Sequence, residues 1–246
     1  MAKKGKARIG TSGWHYDHWG GTFYPEDIPK KRFLDYYRQC FDSAEINNSF
    51  YQLPSEKTLA GWRDAVPEGF VFAVKGSRYT THMKKLKDPQ QSTDKLFDRI
   101  GALGGKLGPV LFQLPPKWGF NRERLEEFLE NMPEHFRLAF EFRDRSWYNE
   151  TTYKLLRDHN AAFCIYELDG HVSPLQVTSD FVYIRLHGPE GPYEGSYSKK
   201  VLSRWADRIK EWRNKGKDVY CYFDNDENGY AAQNALELKK LVEGKK

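Results

Sequence analysis

The stretch Phe181-Val-Tyr-Ile-Arg-Leu-His187 is rich in apolar residues and closes on ionisable side chains. Side chains alternate between the two faces of a β-strand, so Tyr183, Arg185 and His187 share one face and the aliphatic residues between them share the other. The aliphatic face suits packing against helices. The face that carries Arg185 and His187 is predicted to point into the mouth of a barrel, because burying those charges against helices would be costly.

The same kind of segment recurs along the chain, with predicted strands near residues 8–12, 43–47, 70–75, 109–113, 138–143, 162–167, 181–187 and 219–224. Helical patterns fall between most of them, and alternation of strands with helices indicates a parallel sheet. Eight such units predict an α/β fold, a TIM-type (β/α)8 barrel. The length of 246 residues suits a single barrel domain over residues 1–246, with a core of about 8–242.

Amphipathic spacing and capping residues predict helices near residues 33–40, 55–66, 94–103, 121–132, 151–159, 201–216 and 230–242. The span from Asp169 to Asp180 contains Gly170 and Pro174 and is too short for a good helix. We therefore expect the helix between strands six and seven to be reduced or missing. An open doubly wound sheet is the alternative fold, but Gly10-Thr-Ser-Gly13 does not match the glycine-rich phosphate loop that such a fold needs.

Composition limits the class of protein. The chain carries a formal net charge of +5, which permits an anionic partner without requiring one. It has no apolar run long enough for a transmembrane helix, and its N-terminal residues lack a signal-peptide core. Cys40, Cys164 and Cys221 are scattered in apolar contexts, so we expect reduced thiols. These features predict a cytoplasmic protein without a membrane partner, and they leave the oligomeric state open.

Polar or ionisable residues stand at or near the C-terminal ends of six predicted strands, namely Glu45, Lys75, Gln113, Glu141, His187 and Asn225. TIM barrels place their chemistry at this rim. We predict that Glu45, Lys75, Glu141 and His187 are catalytic. Two carboxylates can divide acid and base roles, and histidine shuttles protons near neutral pH. Lys75 would keep a carboxylate ionised or, once desolvated, act as a base or a Schiff-base amine.

Other rim residues suit substrate binding. Arginines bind carboxylate or phosphate bidentately, amides orient neutral polar groups, and aromatic rings stack on sugars or bases. The predicted substrate-binding residues are Asn47, Arg78, Gln113, Arg143, Arg185, Asn225, Trp14 and Trp147. Strand alternation places Asn225 on the inward face together with Phe223. A different interpretation is a salt-bridge network that only plugs the barrel top, but six polar strand ends are many for a plug, since buried charge is costly.

Several motifs carry a resemblance to a known family, including Ile9-Gly-Thr-Ser-Gly-Trp-His-Tyr-Asp-His-Trp-Gly20, Ala44-Glu-Ile-Asn-Asn-Ser-Phe-Tyr51, Lys75-Gly-Ser-Arg78, Leu111-Phe-Gln-Leu-Pro-Pro116, Glu141-Phe-Arg143, Arg185-Leu-His-Gly188 and Tyr222-Phe-Asp-Asn-Asp226. Through them the chain resembles the YecE-like family, domain of unknown function 72, from about Ile9 to Val242. The resemblance implies a TIM-type barrel similar to that of the endonuclease-IV and xylose-isomerase group. It implies no particular reaction, since a shared fold does not determine a function.

The favoured function is an enzyme that performs general acid–base chemistry on a small polar, anionic or sugar-containing substrate. The alternative is a nucleic-acid-binding protein or a metal-assisted phosphodiesterase, since Arg78, Lys84 and Lys85 could contact a phosphate backbone. No cofactor or metal is firmly predicted. A single Mg²⁺, Mn²⁺ or Zn²⁺ ion would take its ligands from the rim, namely Glu45, Glu141, His187 and Asp224.

Overall fold

The barrel consists of eight parallel strands, each hydrogen-bonded to the next, in a computed structural model that describes residues 3–244. They are β1 (Ala7–Thr11), β2 (Ser43–Ile46), β3 (Val71–Lys75), β4 (Leu107–Gln113), β5 (Leu138–Glu141), β6 (Ala162–Leu168), β7 (Phe181–Leu186) and β8 (Asp218–Phe223). β1 pairs with β8, from Ala7 opposite Val219 to Thr11 opposite Phe223. The predicted TIM-type fold is confirmed.

The seam between β1 and β2 closes the barrel through fewer contacts. A single parallel bridge joins Ser12 to Glu45, and the Gly13 amide donates to the Glu45 carbonyl at 2.8 Å. Gly10 allows this approach, because a Cβ built there would lie 2.1 Å from the Ser43 carbonyl oxygen. The seam therefore brings the start of the chain against the strand that carries Glu45.

Helices connect the strands on the outside, and residues 3–244 contain α1 (Phe33–Cys40), α2 (Glu56–Ala65), α3 (Pro89–Ile100), α4 (Arg122–Glu130), α5 (Glu150–Asp158), α6 (Lys199–Asn214) and α7 (Tyr230–Glu243). The span 169–180 forms no helix, as predicted; His171–Val172 pairs antiparallel with β6 there. α3 begins at Pro89, earlier than predicted, because proline is tolerated in the first turn of a helix. None of the described helices is long and apolar enough to cross a membrane.

The barrel core has an inner and an outer layer, and most strands follow the predicted alternation. Ala73, Leu111, Ala139 and Tyr183 belong to the inner cluster, whereas the larger cluster between sheet and helices contains, for example, Phe72, Phe112, Phe140 and Ile184. β8 is the exception. Tyr222 belongs to the inner cluster and Phe223 to the outer one, so the expectation that Phe223 and Asn225 face inward was wrong by one residue.

Candidate active site

Arg185 lies at the centre of the barrel mouth and is fully buried. Its guanidinium donates to both carboxylate oxygens of Glu45 at 2.7 and 3.1 Å, to Glu141 Oε2 at 3.1 Å and to Asp224 Oδ2 at 3.0 Å. These carboxylates come from β2, β5 and the end of β8. One cation thus ties together three carboxylates from distant parts of the chain, and such a buried cation requires close partners of this kind.

Glu45 is saturated with hydrogen-bond donors. Besides Arg185, the Ser12 hydroxyl donates to its Oε1 at 2.5 Å and the Tyr183 hydroxyl to its Oε2 at 2.6 Å. Both hydroxyls are buried next to it. Four donors on one carboxylate fix its orientation, so Glu45 anchors the guanidinium of Arg185.

Glu141 is also fully buried and accepts from both neighbouring arginines. Arg143 donates to Oε1 and Arg185 to Oε2, while the Cys164 thiol lies 3.8 Å from Oε2. Burial on its own would raise the pKa of Glu141, but the charges of Arg143 and Arg185 hold that pKa well below its usual value. Glu141 is therefore ionised at neutral pH.

His187 and Asp224 form a buried pair beside Arg185. The Nδ1 atom of His187 lies 3.0 Å from Asp224 Oδ2, while Nε2 lies 2.9 Å from Arg143 Nη2 and 3.3 Å from Arg185 Nη1. Because guanidinium groups can only donate, Nε2 acts as an acceptor and the proton sits on Nδ1. Glu141 Oε1 is 3.4 Å from Nε2, a longer contact than the one to Arg143. The neutral imidazole thus directs its basic nitrogen at Arg143.

The Asp224 carboxylate holds this tautomer in place. Burial opposes its ionisation, but the Arg185 guanidinium and the hydrogen bond to His187 outweigh burial and lower the pKa of Asp224 to about 2. Asp224 directly precedes Asn225, which the sequence pattern predicted to face the barrel mouth. The pattern could not show that Asp224 faces the mouth instead, because apolar and aromatic residues occupy both faces of β8.

Arg143 and Tyr193 form the outer boundary of the cluster. The Arg143 side chain is 9% exposed, and its guanidinium stacks 4.8 Å from the centre of the Tyr166 ring. Tyr193 packs edge-on against His187 with ring centres 5.7 Å apart and is 44% exposed. Arg143 is therefore the side of the cluster that a molecule from solvent would meet first.

Lys75 approaches the cluster without bonding to it. It is 7% exposed, and its Nζ lies 4.5 Å from the centre of the Phe50 ring. Burial and the charge of Arg185 lower the pKa of Lys75, and the carboxylates of the cluster oppose that shift. The structure brings together Glu45, Glu141 and His187 from the predicted catalytic set, and it adds Lys75 as a neighbour.

Besides Asn225 Oδ1, the buried polar atoms of three other predicted binding residues have no partner within residues 3–244, namely Asn47 Oδ1, Gln113 Oε1 and Trp14 Nε1. Asn47 and Trp14 line a cavity of about 250 Å³ between the loops that follow β1 and β2, together with Tyr16 and Tyr51. An unsatisfied buried polar group costs about 1–3 kcal/mol.

The remaining predicted residues lie apart from the cluster. Arg78 is exposed in the loop after β3. The Asn225 amide donates to the Gly195 carbonyl at 2.8 Å and to Asn234 on α7 at 3.0 Å, so its side chain points to the helical layer. Trp147 is buried, stacks on Phe142, and donates its indole N–H to the Trp118 carbonyl at 2.7 Å. In this structure Trp147 packs in the core.

The residues that the sequence suggested as ligands of a single metal ion do not form a metal site. Among the residues that the structure describes, no group of three or more histidine, cysteine and carboxylate side chains could hold a metal ion. The reason is local: Glu45, Glu141 and Asp224 surround the guanidinium of Arg185, which occupies the place between them. The three carboxylates therefore serve as partners of the Arg185 side chain.

Comparison with known proteins places the whole chain in one family. UPF0759 protein YunF of Bacillus subtilis (strain 168) is 26% identical, with 96% of this chain and 94% of that protein covered. A crystal structure of a DUF72 family protein (TM1631) from Thermotoga maritima MSB8 is 32% identical, covers 97% of this chain and 99% of its own, and superposes with a TM-score of 0.85. A DUF72 family protein (EF0366) from Enterococcus faecalis V583, 18% identical over 96% of this chain and 95% of that one, shares the fold with a TM-score of 0.74.

The family model supports the same assignment over almost the entire length. Residues 8–246 match the model of the family described as "Protein of unknown function DUF72". The match includes every strand of the barrel and every member of the Arg185 cluster. The chain therefore belongs to the DUF72 family.

Proposed function

We propose that the protein is an enzyme that performs general acid–base chemistry on a small polar substrate, anionic or sugar-containing, at the C-terminal rim of the barrel. The observation that carries this proposal is the His187–Asp224 pair, 3.0 Å apart, with Nε2 directed at Arg143. Once a substrate takes over the Arg143 donor, Nε2 of the neutral imidazole can serve as a general base. The carboxylate on its other nitrogen stabilises the imidazolium that forms.

The predicted residues then divide their roles. Glu45 and Glu141 are positioning residues, because their oxygens already accept bonds from arginines and hydroxyls. A substrate oxygen would take the place of His187 as an acceptor for Arg143. That exchange would leave Nε2 of His187 with only the longer 3.3 Å contact to Arg185, and Nε2 could then remove a proton from the carbon or oxygen beside the bound group.

Buried polar atoms without partners favour a binding site over a plug. A network that only closed the barrel would be expected to satisfy its own polar groups, as most buried groups in native proteins are satisfied. Asn47 Oδ1 and Gln113 Oε1 instead lack donors within the described residues.

We place the reaction in the cytoplasm, because the three cysteines are free thiols and a reducing compartment keeps thiols in that state.

The test is substrate conversion with and without His187. Sugars, sugar phosphates and hydroxy acids are incubated with the protein, and products are detected by mass spectrometry. His187→Gln should lower kcat by about 10²–10⁴-fold, the usual contribution of a positioned acid–base group. The control is His159→Gln, which changes an exposed histidine after α5 and should retain full activity. Undiminished turnover by the His187 variant, or no conversion of any compound by the unmodified protein, would contradict the proposal.

A further inference from the structure

The Lys75 side chain is largely buried, and its ammonium group forms no hydrogen bond or ion pair with residues 3–244. Its close contact is the face of the Phe50 ring, whose centre lies 4.5 Å from Nζ. A cation–π contact offsets only part of the cost of removing an ammonium from water. The arrangement is therefore incomplete, and an anionic oxygen at Nζ would complete it.

Two further nitrogen-bearing side chains lie around the same space. His82 packs edge-on against Phe50 with ring centres 5.1 Å apart, so one ring contacts both Lys75 and His82. The Thr81 hydroxyl forms a hydrogen bond with Nδ1 of His82 at 2.9 Å. Arg78 lies between Lys75 and His82 in the sequence. Burial, followed by the charges of Arg78 and Lys75, lowers the pKa of His82. None of the described carboxylates forms an ion pair with any of the three.

The loop after β3 supplies a positive field at this place. Between Ser77 and Asp88 it carries four cationic side chains, Arg78, Lys84, Lys85 and Lys87, against the single carboxylate of Asp88, which pairs with Lys84 at 2.9 Å. Buried Thr80, Thr81 and Leu86 hold the loop against the barrel. An anion entering beside Lys75 would thus meet excess positive charge on a fixed loop.

The charges of the central cluster also indicate that Lys75 is available to bind an anion. Glu45, Glu141 and Asp224 are balanced by Arg143, Arg185 and Lys75 when His187 is neutral. Lys75 contributes to this balance from a distance, since its Nζ makes no ion pair with a described carboxylate. Its hydrogen-bonding capacity is therefore available, and Arg78 adds a positive charge that would compensate a bound anion.

We propose that Lys75, together with Arg78 and His82, binds an oxyanion of the substrate, either a phosphate or a carboxylate group. This inference rests on the proposed function in one respect: the anionic end would sit beside β3 while the reacting end faces His187. Among the substrates considered above, it selects an anionic compound over a neutral sugar. Gln113 on β4, with its unpartnered Oε1, would accept a bond from a hydroxyl of the same ligand.

The test measures thermal unfolding of the full chain with sodium phosphate, sodium acetate or sodium chloride at equal ionic strength. Phosphate also stabilises proteins generally, so the comparison between variants is decisive. We expect the melting temperature to rise with millimolar phosphate or acetate and not with chloride, and the stronger of the two anions identifies the group. Lys75→Met should weaken anion binding at least about tenfold. Lys87→Met, which removes an exposed charge from the same loop, should leave it unchanged.

A second variant keeps the test decisive if Lys75→Met does not fold. Arg78→Ala removes an exposed side chain and should weaken anion binding several-fold. Equal stabilisation of the unmodified protein and both variants would overturn the site, as would no stabilisation by either anion. His187→Gln should bind the anion normally, so turnover that depends on His187 without an anion effect would refute only this inference. Anion binding without turnover would refute only the proposed function.

Discussion

Asp224 shows how much a single residue contributes to the cluster. It accepts from Arg185 at 3.0 Å and pairs with His187 Nδ1 at 3.0 Å. Together with the arginines at Nε2, Asp224 fixes the tautomer of the imidazole. A buried carboxylate in this position is stabilised as the anion by its neighbours, so its effect on stability depends on pH.

Asp224→Asn should destabilise the protein at neutral pH and lose that effect in acid. The pKa of Asp224 is about 2 in the folded state against an ordinary value of 3.8, so its contribution is present above 3.8 and disappears as the pH falls toward 2. A depression of this size corresponds to about 2 kcal/mol at pH 7. Urea unfolding of both proteins between pH 7 and pH 3 measures the difference.

The matched control for this prediction is Asp94→Asn, which changes an exposed carboxylate on α3. It should alter the free energy of unfolding by less than about 0.5 kcal/mol at every pH, as surface substitutions usually do. A destabilisation by Asp224→Asn that stayed constant down to pH 3 would assign the loss to geometry rather than to charge.

At the scale of elements, the seam between β1 and β2 depends on a close approach of the two backbones. One parallel bridge joins the strands, and Tyr37 on α1 reaches the seam by accepting from the Thr11 amide at 2.9 Å. A side chain at Gly10 would meet the Ser43 carbonyl and the Tyr37 hydroxyl. Close strand approach there positions Ser12 and Glu45, and through them Arg185.

Gly10→Ala should therefore destabilise the protein by at least about 1–3 kcal/mol, the usual cost of overpacking. Its added Cβ would lie 2.1 Å from backbone, which cannot yield without moving a strand. Gly61→Ala is the control, because Gly61 lies inside α2 with open space around its Cβ position. That change should stabilise the helix by up to about 1 kcal/mol. Equal effects of the two substitutions in urea unfolding would show that the seam is loose.

At the scale of the whole molecule, Arg185 connects strands that are far apart in sequence. Its hydrogen bonds reach Ser12, Glu45, Glu141 and Asp224, so the first, second, fifth and eighth strands share one partner. The first, second and eighth strands are neighbours, and the fifth lies across the barrel from them. Cohesion at the mouth is therefore electrostatic, whereas the layer between sheet and helices is apolar.

Arg185→Met should lower the stability of the entire domain. Removing the cation leaves three buried carboxylates short of a partner, and breaking a buried ion pair in this way typically costs about 3–5 kcal/mol. Guanidinium-chloride unfolding should show a lower midpoint with an unchanged slope, since the loss concerns one cooperative unit. Replacement of exposed Arg204 by Met on α6 is the control. A midpoint equal to that of the unmodified protein would show that the cluster contributes little to folding.

Much of the architecture could be predicted from local pattern. Strand and helix periodicity gave the eight units, and the glycine and proline between β6 and β7 gave the missing helix. Polar residues at strand ends located the site. In the strands of Glu141 and Arg185, charged residues alternate with apolar ones, and the inward face was correctly predicted. A shift of the strand by one residue would bury the charged side chains against the helices.

The sequence by itself determined the barrel and the rim, because hydrophobic periodicity is a local property of each segment. Only the tertiary structure decided which side chains meet. β8 is apolar on both faces, so pattern could not choose between Asp224 and Asn225. Trp147 joins the core and Lys75 lacks an acceptor because of the side chains that neighbouring segments place beside them. Charge pairing depends on the distances between side chains, and no local sequence pattern encodes them.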